Sequence, residues 1–153
     1  MTSLKRQIDL PYRPEELFDL VSDVGRYPDF IKWIRSLRLI SEQDEPERWR
    51  GRAEASVGFK GFTENFITDI DAKKPQMTID VGLVRGPFRK LSSSWRFTAI
   101  PTGTRVDFAI AFEFRNFILQ TLADANRDYA VNRIIEAFTT EAARRFGKAA
   151  TSV

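Results

Sequence analysis

"TRVDFAIAFEFRNFILQTLADANRDYAVNRIIEAFTTEAARRFG", Thr104 to Gly147, changes its hydrophobic period part-way along. Val106, Phe108, Ile110, Phe112 and Phe114 alternate with Arg105, Asp107, Ala109, Ala111 and Glu113, the period of two expected of a strand with one covered face. Further on the period becomes helical, and Val131, Ile135, Phe138, Ala142 and Phe146 form one stripe. A strand with an apolar face and a helix able to cover it predict an α+β fold in which the last helix lies on a sheet. Between them, Ile118, Leu122, Ala125 and Tyr129 fall on roughly the opposite side from the stripe. The helix therefore bends, breaks near Ala125 to Asp128, or shows apolar residues outward.

Upstream, the same alternation recurs. In "WRGRAEASVGF", Trp49, Gly51, Ala53, Ala55, Val57 and Phe59 share one face, and Arg48, Arg50, Arg52 and Glu54 the other. Phe62, Glu64, Phe66 and Ile70 share a side, followed by Met77, Ile79, Val81 and Leu83, then Leu91, Trp95, Phe97 and Ala99. Leu37 and Leu39 open a strand before these, and "SLKRQIDL" supplies another, with Arg6 on its apolar side. "RPEELFDLVSDV" reads as a helix, with Pro14 in its first turn and Glu15 and Glu16 where the helix dipole favours them. "RYPDFIKW" reads as short and irregular or helical, because a residue before proline is biased away from the α region. The whole is a curved antiparallel sheet gripping a long C-terminal helix. Gly51, Ala53 and Ala55 are small and sit mid-strand on the inner face, so they leave a cavity unless a bulky side chain fills it.

With 153 residues, 42% hydrophobic and 29% charged, the chain fits one domain spanning residues 1–153. No apolar run reaches the roughly 18 residues that span a bilayer, and the N-terminal stretch lacks a secretory pattern. A soluble cytoplasmic protein, at most peripheral to membranes, is expected. With no Cys and no His, thiolate and imidazole chemistry and the usual zinc sites are excluded. Neither metal nor cofactor is expected. The net charge of +3 and pI near 9.4 are a mild basic surplus, compatible with anionic lipid or ribosomal RNA but short of a dedicated nucleic-acid binder, and DNA is not an expected partner.

In "GLVRGPFRKLSSSWRF", Gly82 to Phe97, a hairpin carries Leu83, Val84, Pro87 and Phe88 at its turn, among Arg85, Arg89 and Lys90. Either Leu83, Val84, Arg85, Pro87, Phe88 and Lys90 touch a membrane surface, or Phe88 folds back onto the core.

"PYRPEELFDLVSDVGRYPDFIKW", "LVRGPFRKLSSSWRF" and "TRVDFAIAFEFRN" together resemble the coenzyme Q-binding START-domain family. That family includes the mitochondrial ubiquinone chaperone and bacterial relatives known as ribosome-association toxins, and its wider superfamily contains polyketide cyclases. The similarity runs from about Leu4 to Phe146. It departs from many relatives in flanking Trp33 with Lys32 and Ile34 rather than Pro and Cys. The resemblance implies a helix-grip (START-like) fold with about seven strands. It also implies noncatalytic binding of ubiquinone or a related isoprenoid lipid and support for respiratory electron transport, to which the Gly82 to Phe88 tip adds transient docking on the inner membrane. A ribosome-associated inhibitor of subunit association is the alternative, and a cyclase the third.

A quinone ring only accepts hydrogen bonds, so its site should offer donors, for which Trp95, Trp33, Tyr27 and Ser93 are candidates. Phe62, Phe66, Phe97 and Phe108 are candidates to stack on the ring. Ala53, Ala55, Ile79, Val81, Phe112, Val131 and Ile135 complete the expected lining. Glu64 either faces inward, where desolvation favours a neutral acid able to donate or to meet Arg6, or turns to water through a bulge after Gly61. Arg48, Arg50 and Arg52 form a row that either tracks phosphates or is a solvated face.

Overall fold

Alternation at period two yields seven strands in the computed structural model, which describes residues 2–59 and 61–147, the side chain of Phe59 excepted. The strands are β1 (Thr2–Leu10), β2 (Ile34–Glu45), β3 (Arg48–Phe59), β4 (Phe62–Lys73), β5 (Thr78–Arg85), β6 (Phe88–Ile100) and β7 (Gly103–Phe114). They form one antiparallel sheet in the order β1-β7-β6-β5-β4-β3-β2. Five of the neighbouring pairs are consecutive in sequence, and only β1 travels to the far edge beside β7.

Helix α1 (Pro14–Ser22) buries Leu17, Phe18, Leu20 and Val21, which its spacing places on one face. A 3-10 turn (Val24–Arg26) and α2 (Tyr27–Phe30) follow. Tyr27 adopts α-region angles, φ −54° and ψ −42°, against the bias of a residue that precedes proline. Its ring is held edge-on to Phe30 and Phe138, and its hydroxyl donates to the Val21 carbonyl, so tertiary contacts override the local preference.

The C-terminal segment breaks at Asn126, within the stretch where its two apolar stripes lose phase. Helix α3 (Phe117–Ala125) packs on β7, and α4 (Arg127–Phe146) packs on β1, α1 and α2. Val131, Phe138 and Ala142 of the predicted stripe are buried, with Ile135 and Phe146 half-buried. The break and the exposure both occur: Phe117, Ile118 and Tyr129 face solvent.

Gly51 leaves no hole, because the indole of Trp49 lies over it; a Cβ on Gly51 would sit 2.3 Å from that ring. Ala53 is buried in the core at 3% exposure. The missing volume at the Trp49 end of β3 is thus filled from the strand itself. Among the described residues no helix is long and apolar enough to cross a membrane.

Candidate functional site

Strand register sorts the concave face into rows that run across the sheet. Ala72, Ile79, Trp95 and Phe108 form one row, with exposures between 0 and 7%. Trp95 contacts Phe108 and Phe138 at 4.4 and 5.1 Å between ring centroids, and Phe97 meets Phe18 edge-on at 6.2 Å. This end of the sheet is a packed aromatic core. Ile79, Trp95, Phe97, Phe108 and Val131, expected to line a ligand, are 1 to 7% exposed and belong to this core. The reason is that α1, α2 and α4 all converge here and supply the bulk that a guest would otherwise provide.

The next two rows differ. Val81, Ser93 and Ile110 are half-buried, as are Leu83, Leu91 and Phe112 beside them. Ile134 and Ile135 of α4, also half-buried, pack at the margin of the core. Beyond these rows, three rings form a rim: Phe88 stacks on Phe114 at 4.4 Å and meets Phe66 edge-on at 5.6 Å. An apolar strip therefore lies between a filled end and an aromatic rim.

Its polar groups are few. The hydroxyls of Ser93 and Thr68 and the carboxyl of Glu64 make no hydrogen bond or ion pair with a described residue. Thr68 is on the inner face opposite Leu83, at 9% exposure. It was not among the expected site residues, because threonine on an alternating strand carries no signal of its own. Glu64 faces inward opposite Val57, since β4 keeps its alternation from Phe62 onward with no bulge after Gly61. Arg6 does not meet it; Arg6 reaches Asp128 at 2.7 Å and Asn132 at 3.4 Å on the first turns of α4. Phe62 is half-buried beside Glu64 on the same face, and Ala55 is buried opposite Phe66.

One expected donor is committed elsewhere. The Tyr27 hydroxyl is committed to the Val21 carbonyl, and burial, with a contribution from Asp23, pushes its pKa well above the usual phenol range. It is not a free donor, because a buried hydroxyl must find a partner. Trp33 is half-buried in the loop before β2, where its carbonyl accepts the Gly58 amide at 2.9 Å.

The hairpin turn also differs from a free tip. One extra residue, Val84, interrupts the β4–β5 register, and another, Arg89, interrupts β6–β7. These bulges reverse the facing on either side of the bend. Leu83 faces inward in the alternation of Ile79 and Val81, and the bulge at Arg89 turns Phe88 inward too, at 7% exposure, so Phe88 is withdrawn from the membrane-contact set. Val84 at 41%, Arg85 and Lys90 remain exposed, and Pro87 is half-buried. Gly86 is required, because a Cβ there would lie 2.5 Å from that of Phe66.

On the convex face the arginine row is paired. Arg48 forms a two-pronged bond to Asp71 at 2.9 and 2.7 Å, and Arg52 one to Asp69 at 2.7 and 3.0 Å. Those hydrogen bonds lower the pKa of both carboxyls. Arg50 leans toward Glu45 at 3.6 Å. Two depressions lie away from the apolar strip. One of about 370 Å³ sits between α1 and the β2–β3 hairpin and includes Asp19, Asp23, Glu42 and Arg48; one of about 930 Å³ on the convex face includes Lys5, Arg96 and Asp107. Both linings mix charged with apolar residues, Phe18, Leu39 and Trp49 in the first and Trp95 and Phe108 in the second.

The family described as polyketide cyclase / dehydrase and lipid transport matches residues 10–139. "Ribosome association toxin RatA" of Rickettsia prowazekii is 32% identical over 145 residues, covering 93% of this chain and 97% of that one. "Coenzyme Q-binding protein COQ10 homolog B, mitochondrial" of Xenopus laevis is 27% identical, over 91% of this chain and 57% of that one. Among solved structures, the 18 kDa protein CC1736 of Caulobacter crescentus is 37% identical, with a TM-score of 0.80 over 96% of this chain and 99% of that one.

Proposed function

The chain belongs to the polyketide cyclase / dehydrase and lipid transport family, and from that premise we propose that it is a noncatalytic carrier or chaperone for ubiquinone or a related isoprenoid lipid. The observation that carries this is the half-buried strip of Val81, Leu83, Leu91, Ser93, Ile110 and Phe112 between a packed core and an aromatic rim. An isoprenoid tail gains roughly 0.8 kcal/mol per CH₂ on leaving water, but almost nothing on leaving a bilayer. Selection therefore falls to the head group. The hydroxyls of Ser93 and Thr68 are the donors for its oxygens, Glu64 is a third polar group on the same face, and Phe66 and Phe112 are the neighbouring rings. Support of respiratory electron transport from a peripheral position on the inner membrane is part of this reading.

Titration of the purified protein with a short-tailed ubiquinone tests it. Saturable binding is expected, weakened about tenfold or more by Ser93→Phe, which fills the strip, and weakened by Glu64→Gln, where unchanged binding would remove Glu64 from the site. Absence of saturable binding, or binding indifferent to Ser93→Phe, would remove the strip as a site.

A second reading, ribosome association, is supported by the name of the Rickettsia relative. Salt-sensitive co-sedimentation with ribosomal subunits is its signature. Arg48 and Arg52 already satisfy carboxylates, so phosphate contact would draw on another surface. A cyclase, the remaining option within the family, would require turnover dependent on Glu64.

A further inference from the structure

Helix α3 presents its largest side chains to solvent. Phe117 is 82% exposed and Ile118 64%, while Leu119 on the same turn is buried. No charged residue occurs from Phe117 to Ala123. The exposure belongs to a fixed helix start, because the Asn116 side chain accepts hydrogen bonds from the Ile118 and Leu119 amides at 2.8 and 3.1 Å.

This helix start lies beside the rim of the strip. The Arg115 amide donates to the Pro87 carbonyl at 2.9 Å and the Arg115 guanidinium to the Phe88 carbonyl at 3.2 Å. Two trans peptides then separate Arg115 from Phe117, at most about 7.6 Å between Cα atoms. Arg85, Arg89, Lys90 and Arg115 are exposed around the bend. Arg89 approaches Glu113 at 3.7 Å, whereas Arg85, Lys90 and Arg115 form no ion pair with a described residue. An exposed aromatic-aliphatic pair with cations on the adjoining bend has the chemistry of an interfacial anchor for an anionic bilayer.

We propose that the exposed face of α3 docks this protein on an anionic lipid surface, with Phe117 and Ile118 entering the interface and Arg85, Lys90 and Arg115 meeting the head groups. The surface is centred on the helix, and the hairpin bend contributes its charge and Val84. Docking in this pose brings the hairpin bend, which the Arg115 bonds tie to the helix start, to the leaflet. The proposal deepens the carrier reading but stands on exposure and charge, and it is tested without any quinone.

The test is flotation of the full chain with phosphatidylcholine vesicles, with and without phosphatidylglycerol. Binding to the anionic vesicles alone is expected. The double variant Phe117→Ser/Ile118→Ser should lose about tenfold or more in partitioning, and Arg85→Gln or Lys90→Gln about fivefold each at low salt. Both serine positions are exposed, so unchanged circular dichroism is expected and separates lost docking from lost folding. Failure of the parent chain to float, equal flotation with neutral vesicles, or a double variant that floats normally would overturn the proposal. So would a dimer abolished by the serine variant without flotation, which would assign the face to a second copy. Short-tailed quinone binding with no flotation defeats the docking surface and leaves the carrier reading. Flotation without quinone binding does the reverse.

Discussion

The ring of Phe88 stacks on that of Phe114, with 4.4 Å between centroids and 29° between planes, while Phe66 meets it edge-on. Phe88 is thus a structural residue of the rim. Phe88→Ala should destabilise the fold by about 3 kcal/mol, seen as a lower midpoint of chemical unfolding. An unchanged midpoint would return the ring to a solvent-facing tip.

Glu141 is 5% exposed by side chain and holds Arg144 through bonds of 2.8 and 2.6 Å and Arg145 through one of 2.8 Å. Chiefly the Arg144 bond, with Arg145 adding to it, lowers its pKa from 4.5 to about 2. A lowered folded-state pKa stabilises the fold above the unfolded-state value, and that contribution is lost as pH falls from about 4.5 toward about 2. Glu141→Gln should cost about 3 kcal/mol at pH 7 and flatten the acid side of the stability profile. A parallel downward shift of the whole profile, with the same acid slope, would contradict the ion-pair account.

Gly103 has φ of 145°, and a Cβ there would lie 2.1 Å from the Leu10 carbonyl oxygen and 2.8 Å from the Pro11 Cα. Both neighbours are backbone and cannot step aside. Gly103→Ala should cost about 2 kcal/mol or more in stability, whereas the same change at Gly82, where a Cβ meets nothing within 4 Å, should be tolerated far better. Thermal unfolding of the pair of variants checks the contrast.

Arg52 is bound by Asp69 on the convex face. In ribosome co-sedimentation, Arg52→Ala should leave both binding strength and salt dependence unchanged, because a guanidinium committed to Asp69 neutralises no RNA phosphate and so releases none of the RNA's counterions. A reduced salt slope in co-sedimentation would restore the arginine row as a phosphate contact.

Most strands and the covering helix were legible because one-sided burial writes its period directly into residues such as Val106, Phe108 and Ile110. The helix break was legible as a loss of phase between Ile118 and Val131. The facing of Phe88 was not, since single-residue bulges at Val84 and Arg89 carry no turn chemistry of their own. Cross-strand partners were equally hidden. That Arg52 meets Asp69, or that the Trp49 indole covers Gly51, depends on register and rotamer, which alternation alone does not encode. For the site, the apolar positions on β5, β6 and β7 were identified, but their division into packed core and open strip depends on where α1, α2 and α4 converge. Phe117 and Ile118 were visible only as residues out of phase with the stripe.

The half-filled concave face is tested most directly by mass spectrometry of lipids extracted from protein purified out of its native host. An isoprenoid quinone at up to one molecule per chain is predicted, and depleted from the Ser93→Phe variant prepared alongside. Recovery of no isoprenoid from either protein, with tight association with ribosomal subunits instead, would contradict it.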